Sequence, residues 1–290
     1  MGISRRFLLL QTLALLAACA AGKEEKPTSM GKLVVGVVAY GEEARSLDQY
    51  QRFIQYLETK LKTLIELEPA YNEVKAMEQI QRQRWSLVFA PPGLAAIAVS
   101  QAQYLPIFPL QGVNNLSSVL VVLKSSPIQQ LTQVTGQRVA LGQPGSATGY
   151  YVPLYELYGT SPAEIRFAPT PKTALEWVAQ GEVAVAAVSR NEFDRYRGDL
   201  KPAEFRILHA SRRIPSGSVL ISPEIDRNQQ ELIQTVMNEV EPSIAEAVGF
   251  IPNAPPPDYK TLITFIEKVK PIEANIRKQP ANLFGPGQKS

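Results

Sequence analysis

Ser146 and Thr148 are the side chains whose setting first suggests chemistry. They lie in Gly142-Gln143-Pro144-Gly145-Ser146-Ala147-Thr148-Gly149, between residues 138–141, which read as a strand, and residues 147–158, which read as a helix. A strand, a glycine turn and a helix start gather unpaired backbone N–H groups, because a helix's first turn has no internal acceptors for them. Ser146 suits the N-cap, and the Thr148 hydroxyl can face the same side. Such a place suits an anion, phosphate above all. The same residues are also what an ordinary capped helix after a turn would show.

Other chemistries find little support. His209 is the single histidine and Cys19 the single cysteine, so neither a metal cluster of those types nor a catalytic triad is indicated. An exported hydrolase using Ser146 as nucleophile would need His209 as its base. No HExxH, P-loop or dinucleotide fingerprint occurs, and no GK[ST] follows residues 142–149. Glu42, Glu43 and Asp48 have no paired spacing. No catalytic residue, metal site or cofactor is expected, and Trp85 and Trp177 read as core residues.

The elements that must hold the glycine turn alternate along the chain. Strands are expected at residues 32–39, 64–68 (closed by Pro69), 86–90, 104–110, 117–123, 138–141, 164–167, 183–188, 205–209 and 218–221. Pro106 and Pro109 make 104–110 an edge or crossing segment. Helices are expected at 47–62, 72–83, from Gly93 to 100, 131–136, 147–158, 172–180, 191–196, 226–240 and 259–276. Inward faces fall on Leu232, Val236, Met237 and Val240 in the eighth, and on Leu262, Phe265, Ile266 and Val269 in the last. The tail after Gln279 reads as loose. Strand–helix alternation predicts an α/β chain with helices on both sheet faces. It forms two sheet-and-helix units, joined by two connections near 112–123 and 209–218. Clefts between such units are where small ligands bind.

The chain has 290 residues, 45% hydrophobic and 20% charged, enough for two modest domains. Net charge is +3, about +1 once Arg5 and Arg6 are set aside with a leader, so charge indicates no nucleic-acid partner. Residues 1–18 read as a signal peptide, basic at Arg5 and Arg6 and then apolar over a stretch too short to span a membrane. Ser4-Arg5-Arg6 faintly resembles a twin-arginine leader. Leu16-Ala17-Ala18-Cys19 resembles the bacterial lipoprotein box, which makes Cys19 the expected lipidated residue and residues 19–31 a tether. That expectation places the protein outside the cytoplasm on a bacterial membrane, with no cysteine left for a disulfide.

Several segments together resemble the phosphate/phosphite/phosphonate-binding family of ABC-importer substrate-binding proteins. Residues 125–142 are similar to that family's "DSPI…LEDLKGK…AFGDP". Ser146-Ala147-Thr148-Gly149-Tyr150, with Pro153 and Leu154 after it, is similar to "STSGY…P". Residues 207–221 resemble the segment with "IPGDP", and residues 86–93 resemble "DIAWFGP". The resemblance implies a type II periplasmic-binding fold, with a mixed, helix-flanked sheet in each lobe and two inter-lobe crossings. Lobe 1 would be residues 32–112 plus 218–280, and lobe 2 residues 113–217. It also implies that the protein delivers a small phosphorus oxyanion (phosphate, phosphite or a simple phosphonate) to permease subunits and is not an enzyme. The alternative is a lipid-anchored sensor or scaffold with an altered or absent ligand.

Under that resemblance the ligand is held by Ser146, Ala147, Thr148, Gly149 and Tyr150. The opposite lobe would add Tyr40, Arg45, Ala90 and Pro91, and Ser189 would form a wall. Tyr150 reads equally as a packed helix residue, Arg45 as a solvated cation, and Ser189 as a cap for Glu192. The chain departs from the family at Ser86, where an acid is expected, and at Ala90, where a glycine is expected. Asn115–Ser118 has no tyrosine, and Ile214-Pro215-Ser216-Gly217-Ser218 has no aspartate. Fewer acids argue against an amine-bearing ligand.

Overall fold

The computed structural model describes residues 31–39, 45–112, 115–285 and 287. The signal segment, Cys19, the tether up to residue 30 and Tyr40 lie outside the described residues.

The β-branched runs of the sequence become ten strands in two five-stranded sheets among the described residues. The first sheet contains β1 (Leu33–Val38), β2 (Ile65–Ala70), β3 (Leu87–Ala90), β4 (Leu105–Pro109) and β10 (Ser218–Ile221), in the order β2-β1-β3-β10-β4. The second contains β5 (Ser118–Leu123), β6 (Arg138–Leu141), β7 (Glu164–Phe167), β8 (Val185–Ser189) and β9 (Phe205–Ala210), in the order β7-β6-β8-β5-β9. The two orders are the same pattern. In each sheet four strands run in one direction, and the remaining one, β10 or β5, is antiparallel to both its neighbours and arrives from the other lobe. Each sheet is thus completed by chain from its neighbour, which gives two lobes with two crossings.

Proline positions follow the sheet edges. β4 is an edge strand and accommodates Pro106 and Pro109. β2 continues through Pro69 to Ala70, rather than closing before it, because it is the other edge. The two crossings run side by side: Ile214 donates its amide to Leu116 O at 2.7 Å, and Leu110 donates to Gly217 O at 2.9 Å.

Helices cover both sheets. In the first lobe these are α1 (Leu47–Leu61), α2 (Glu73–Gln81) and α3 (Pro92–Ala102). Phe53 and Tyr50 of α1 meet Phe89 edge-on with ring centroids 5.7 and 5.4 Å apart, and Phe250 and Phe108 extend the cluster. Trp85 is fully buried, and Tyr104 donates its hydroxyl to the Trp85 carbonyl at 2.7 Å. In the second lobe a π-helical turn (Ala147–Tyr151) leads into α4 (Val152–Glu156), followed by α5 (Pro171–Ala179) and α6 (Arg190–Tyr196). The helix expected over 147–158 is therefore irregular in its first turn.

After β10, α7 (Arg227–Asn238) and α8 (Pro242–Val248) pack on α1. The α7 inner face is Ile233, Val236 and Met237, whereas Leu232 is 46% exposed, one residue out of the expected register. The last helix, α9 (Lys260–Val269), becomes a 3-10 turn (Lys270–Asn275) at Pro271, which has no amide to continue the ladder.

Residues 260–283 do not simply complete the first lobe and then run loose. α9 touches α3 of the first lobe and both α4 and the π turn of the second. Beyond it, Gly159 and Leu283 exchange backbone hydrogen bonds with each other's segment: Gly159 N donates to Leu283 O at 2.9 Å, and Leu283 N to Thr160 O at 3.1 Å. Leu262, Ile266, Val269, Ile272 and Leu283 are all buried, each such side chain stabilising by about 1.5–3 kcal/mol relative to exposure.

Candidate functional site

The site expected from the glycine turn forms where β6 ends. Gly145 has a φ of +107°, a conformation that glycine adopts at no steric cost. Ser146 then caps the π turn, its Oγ accepting the Gly149 amide at 3.0 Å. Gly142 donates its amide to Gly149 O at 2.8 Å and closes the turn on itself. The amides of Ala147 and Thr148 donate to no acceptor among the described residues, as a helix start requires. The Thr148 carbonyl accepts the Ser118 hydroxyl at 2.6 Å.

From the first lobe, β3 ends at Ala90, Pro91 caps α3, and Gly93 sits in the first turn of α3. A Cβ on Gly93 would lie 2.1 Å from Gly145 O and 2.7 Å from the Ala147 amide. The two helix starts therefore touch backbone to backbone across the cleft, and no side chain can stand between them. Ala90 and Pro91 are covered by the second crossing, since a Cβ on Gly217 would lie 2.4 Å from Ala90 O. Ser146, Ala147, Thr148 and Gly149 are thus brought to the same junction as Gly93, with Ala90 and Pro91 just behind it.

Other expected residues have different partners. Ser189 forms a capping box with Glu192: its Oγ accepts the Glu192 amide at 3.1 Å, and its own amide donates to the Glu192 carboxylate at 2.8 Å. It nevertheless stands beside Ser118 in the β5–β8 ladder, so its backbone borders the glycine turn. Tyr150 turns away from the cleft and donates its hydroxyl to Glu273 at 3.1 Å. Burial, reinforced by the negative charge of Glu273, pushes the Tyr150 phenol far up, so it remains a donor at any physiological pH. Arg45 donates to the carbonyls of Glu246 and Ala247 at 3.1 and 2.9 Å and so serves the C-terminal end of α8. The reason is electrostatic: those carbonyls are the negative end of a helix within reach of a cation.

One acid at the turn was missed. Glu73, at the start of α2, packs its side chain against the glycine turn: a Cβ on Gly145 would lie 2.8 Å from Glu73 Cβ. Burial raises the Glu73 carboxyl pKa, a hydrogen bond from its own amide pulls it down, and the charge of Glu192 adds to the rise. Glu73 belongs to the first lobe and Glu192 to the second, so the field of one carboxylate reaches the other across the cleft, while the Glu192 carboxylate accepts the Ser189 amide. In the sequence Glu73 looks like any acid in a helix's first turn, and only the fold brings it to Gly145. Among the described residues no cluster of three or more His, Cys, Asp or Glu could hold a metal ion.

Solved structures with this fold include one from Xanthomonas citri, XAC2383 bound to ATP. It is 19% identical, with a TM-score of 0.63, covering 77% of this chain and 92% of its own. PhnD1 from Prochlorococcus marinus, in complex with methylphosphonate, is 15% identical with a TM-score of 0.61, covering 82% and 98%. A binding protein component of an ABC phosphonate transporter from Pseudomonas aeruginosa is 13% identical with a TM-score of 0.58, covering 85% and 87%. A comparison with curated protein sequences finds no match. Residues 35–256 match the family described as ABC transporter, phosphonate, periplasmic substrate-binding protein, and the chain belongs to that family of extracytoplasmic, non-catalytic binding proteins.

Proposed function

We propose that the chain captures a small phosphorus oxyanion (phosphate, phosphite or a simple phosphonate) and hands it to the permease subunits of its importer, held to the membrane by lipid on Cys19. The observation that carries this reading is the meeting of two helix starts at Gly93 and Gly145, one from each lobe, with the amides of Ala147 and Thr148 unclaimed there. Helix starts carry partial positive charge, and two of them facing each other favour an anion between them. Bonds from these amides and the Thr148 hydroxyl to a charged oxygen are about twice as strong as neutral ones. Neutral donors also avoid the desolvation cost of a buried countercharge. Entry requires the lobes to part along the paired crossings, because the two turns are in contact.

The test is calorimetric titration of the chain with phosphate, phosphite, methylphosphonate and 2-aminoethylphosphonate, beside the Thr148→Ala variant. Saturable binding of one of the first three, weakened in the variant, supports the reading. Binding of the aminophosphonate alone would assign Glu73 and Glu192 to its amine and correct the ligand class. A flat panel overturns the reading and favours the sensor or scaffold, for which the direct Gly93–Gly145 contact is the supporting observation.

A further inference from the structure

We infer that residues 259–283 form a latch that holds the two lobes closed without ligand, so that release of this segment controls access to the cleft. The segment leaves the first lobe at Tyr259, whose hydroxyl donates to Ser216 O in the second crossing at 2.8 Å. It then lies along the second lobe through a series of side-chain contacts. Phe265 stacks on Tyr155 with centroids 3.9 Å apart, and Lys268 stands over the Tyr158 ring at 4.4 Å. Glu273 accepts the Tyr150 hydroxyl, and Arg277 covers Phe167 at 5.2 Å. The backbone pairing of residues 281–283 with 159–162 ends the span.

The latch also joins the two cores. Leu94 and Ile97 of the first lobe, Leu141 and Leu154 of the second, and Leu262 and Ile266 of the latch belong to one continuous apolar cluster. Opening the hinge with the latch in place would expose that cluster to water. A two-crossing hinge alone carries no such restraint. The latch further reaches the site: Tyr150 lies one residue after Gly149 of the anion turn, so movement of Glu273 is transmitted to the helix that would hold the ligand.

The experiment measures lobe separation without any ligand, so its outcome is independent of which anion binds. Nitroxides are placed on exposed helical sites of the full chain, at Gln55→Cys in α1 and Lys172→Cys in α5, with Cys19→Ser removing the native thiol. The parent is expected to give one short, narrow distance. Phe265→Ala, and separately the milder surface change Arg277→Ala, should add a longer population while the chain stays folded by circular dichroism. The Arg277→Ala arm stands alone if Phe265→Ala fails to fold. A parent that already samples the longer distance, or a folded variant that retains only the short one, overturns the latch.

Discussion

In the first lobe, the strand that ends at the cleft runs into Pro91-Pro92-Gly93. In the second, the equivalent place carries Gly145-Ser146-Ala147-Thr148. The sheets have one strand order, and matching serines open their antiparallel strands: Ser218 sits opposite Ala90, and Ser118 opposite Ser189. Their hydroxyls do different work. Ser218 donates to Phe108 O within its own sheet, at 2.8 Å, whereas Ser118 donates to Thr148 O and holds the glycine turn. Each lobe brings backbone and one carboxylate to the cleft region, Glu73 from the first and Glu192 from the second, and the second adds the Thr148 hydroxyl and two free amides. On the proposed function, this division makes the second lobe the one that would recognise the ligand and the first the one that would close over it.

The sharpest break of that comparison is Gly93→Ala. A Cβ there would meet a backbone oxygen at 2.1 Å, and no side chain can yield to relieve it. The expected loss is about 3 kcal/mol in urea unfolding, the upper range for overpacking. The second-lobe counterpart, Gly142→Ala, meets Gly149 Cα at 3.2 Å and should cost clearly less. Equal costs would mean that the lobes separate freely and that the Gly93–Gly145 contact is not held.

Next in size is the effect of Thr148→Ala on ligand binding. Losing one hydrogen bond to a charged oxygen costs about 1.5–3 kcal/mol, roughly ten- to a hundredfold in Kd. Pro91→Ala, on the closing lobe, should leave the Kd unchanged by calorimetry. A large effect at Pro91 with none at Thr148 would reverse the assignment of recognising and closing lobes.

Smaller again are the caps. Ser146→Ala and Ser189→Ala each remove an oxygen that accepts a helix-start amide, at about 1 kcal/mol apiece in thermal or urea unfolding. If Ser189 only caps α6, its variant loses stability and keeps ligand affinity. If it also borders the ligand, affinity falls as well.

Much of this architecture was legible in the residue pattern. Period and β-branching placed every strand, and Pro106 and Pro109 marked an edge strand, because backbone donors and apolar faces are local properties. The capped glycine turn was legible for the same reason, since Ser146 and the glycines act on their own backbone. What stayed hidden depends on distant chain. Arg45 finds carbonyls two hundred residues away, and Tyr150 finds Glu273 on a segment expected to belong to the other lobe. Leu232 and Ile233 differ by one step of a helix, and only the position of α1 decides which is inside. Helix α8 was not expected at all: Pro242–Val248 is short, and its opening proline reads as readily as a breaker as an N-terminal signal.

The smallest effect examines the cleft in its closed form. The Glu73 pKa is raised above its usual 4.5, so the folded chain holds that proton more tightly than the unfolded one. Its contribution is therefore most favourable below the unfolded pKa and is lost as pH rises through the folded value. Glu73→Gln should melt slightly above the parent at pH 7, and the two should converge below about 4.5, where the acid is protonated in both states. Glu192→Gln keeps an amide able to serve the capping box, but it removes a favourable charge from the first turn of α6 together with the charge across the cleft. The variant is therefore read by the change of melting temperature with pH, where it should recover part of the Glu73→Gln effect, because the field of Glu192 is a lesser cause of the rise than burial. That partial recovery requires the lobes to be together. If Glu192→Gln leaves the pH dependence untouched while Glu73→Gln alters it, the acids are not facing each other in solution. The unliganded chain would then rest open, and the contact between its two helix starts would form only around an anion.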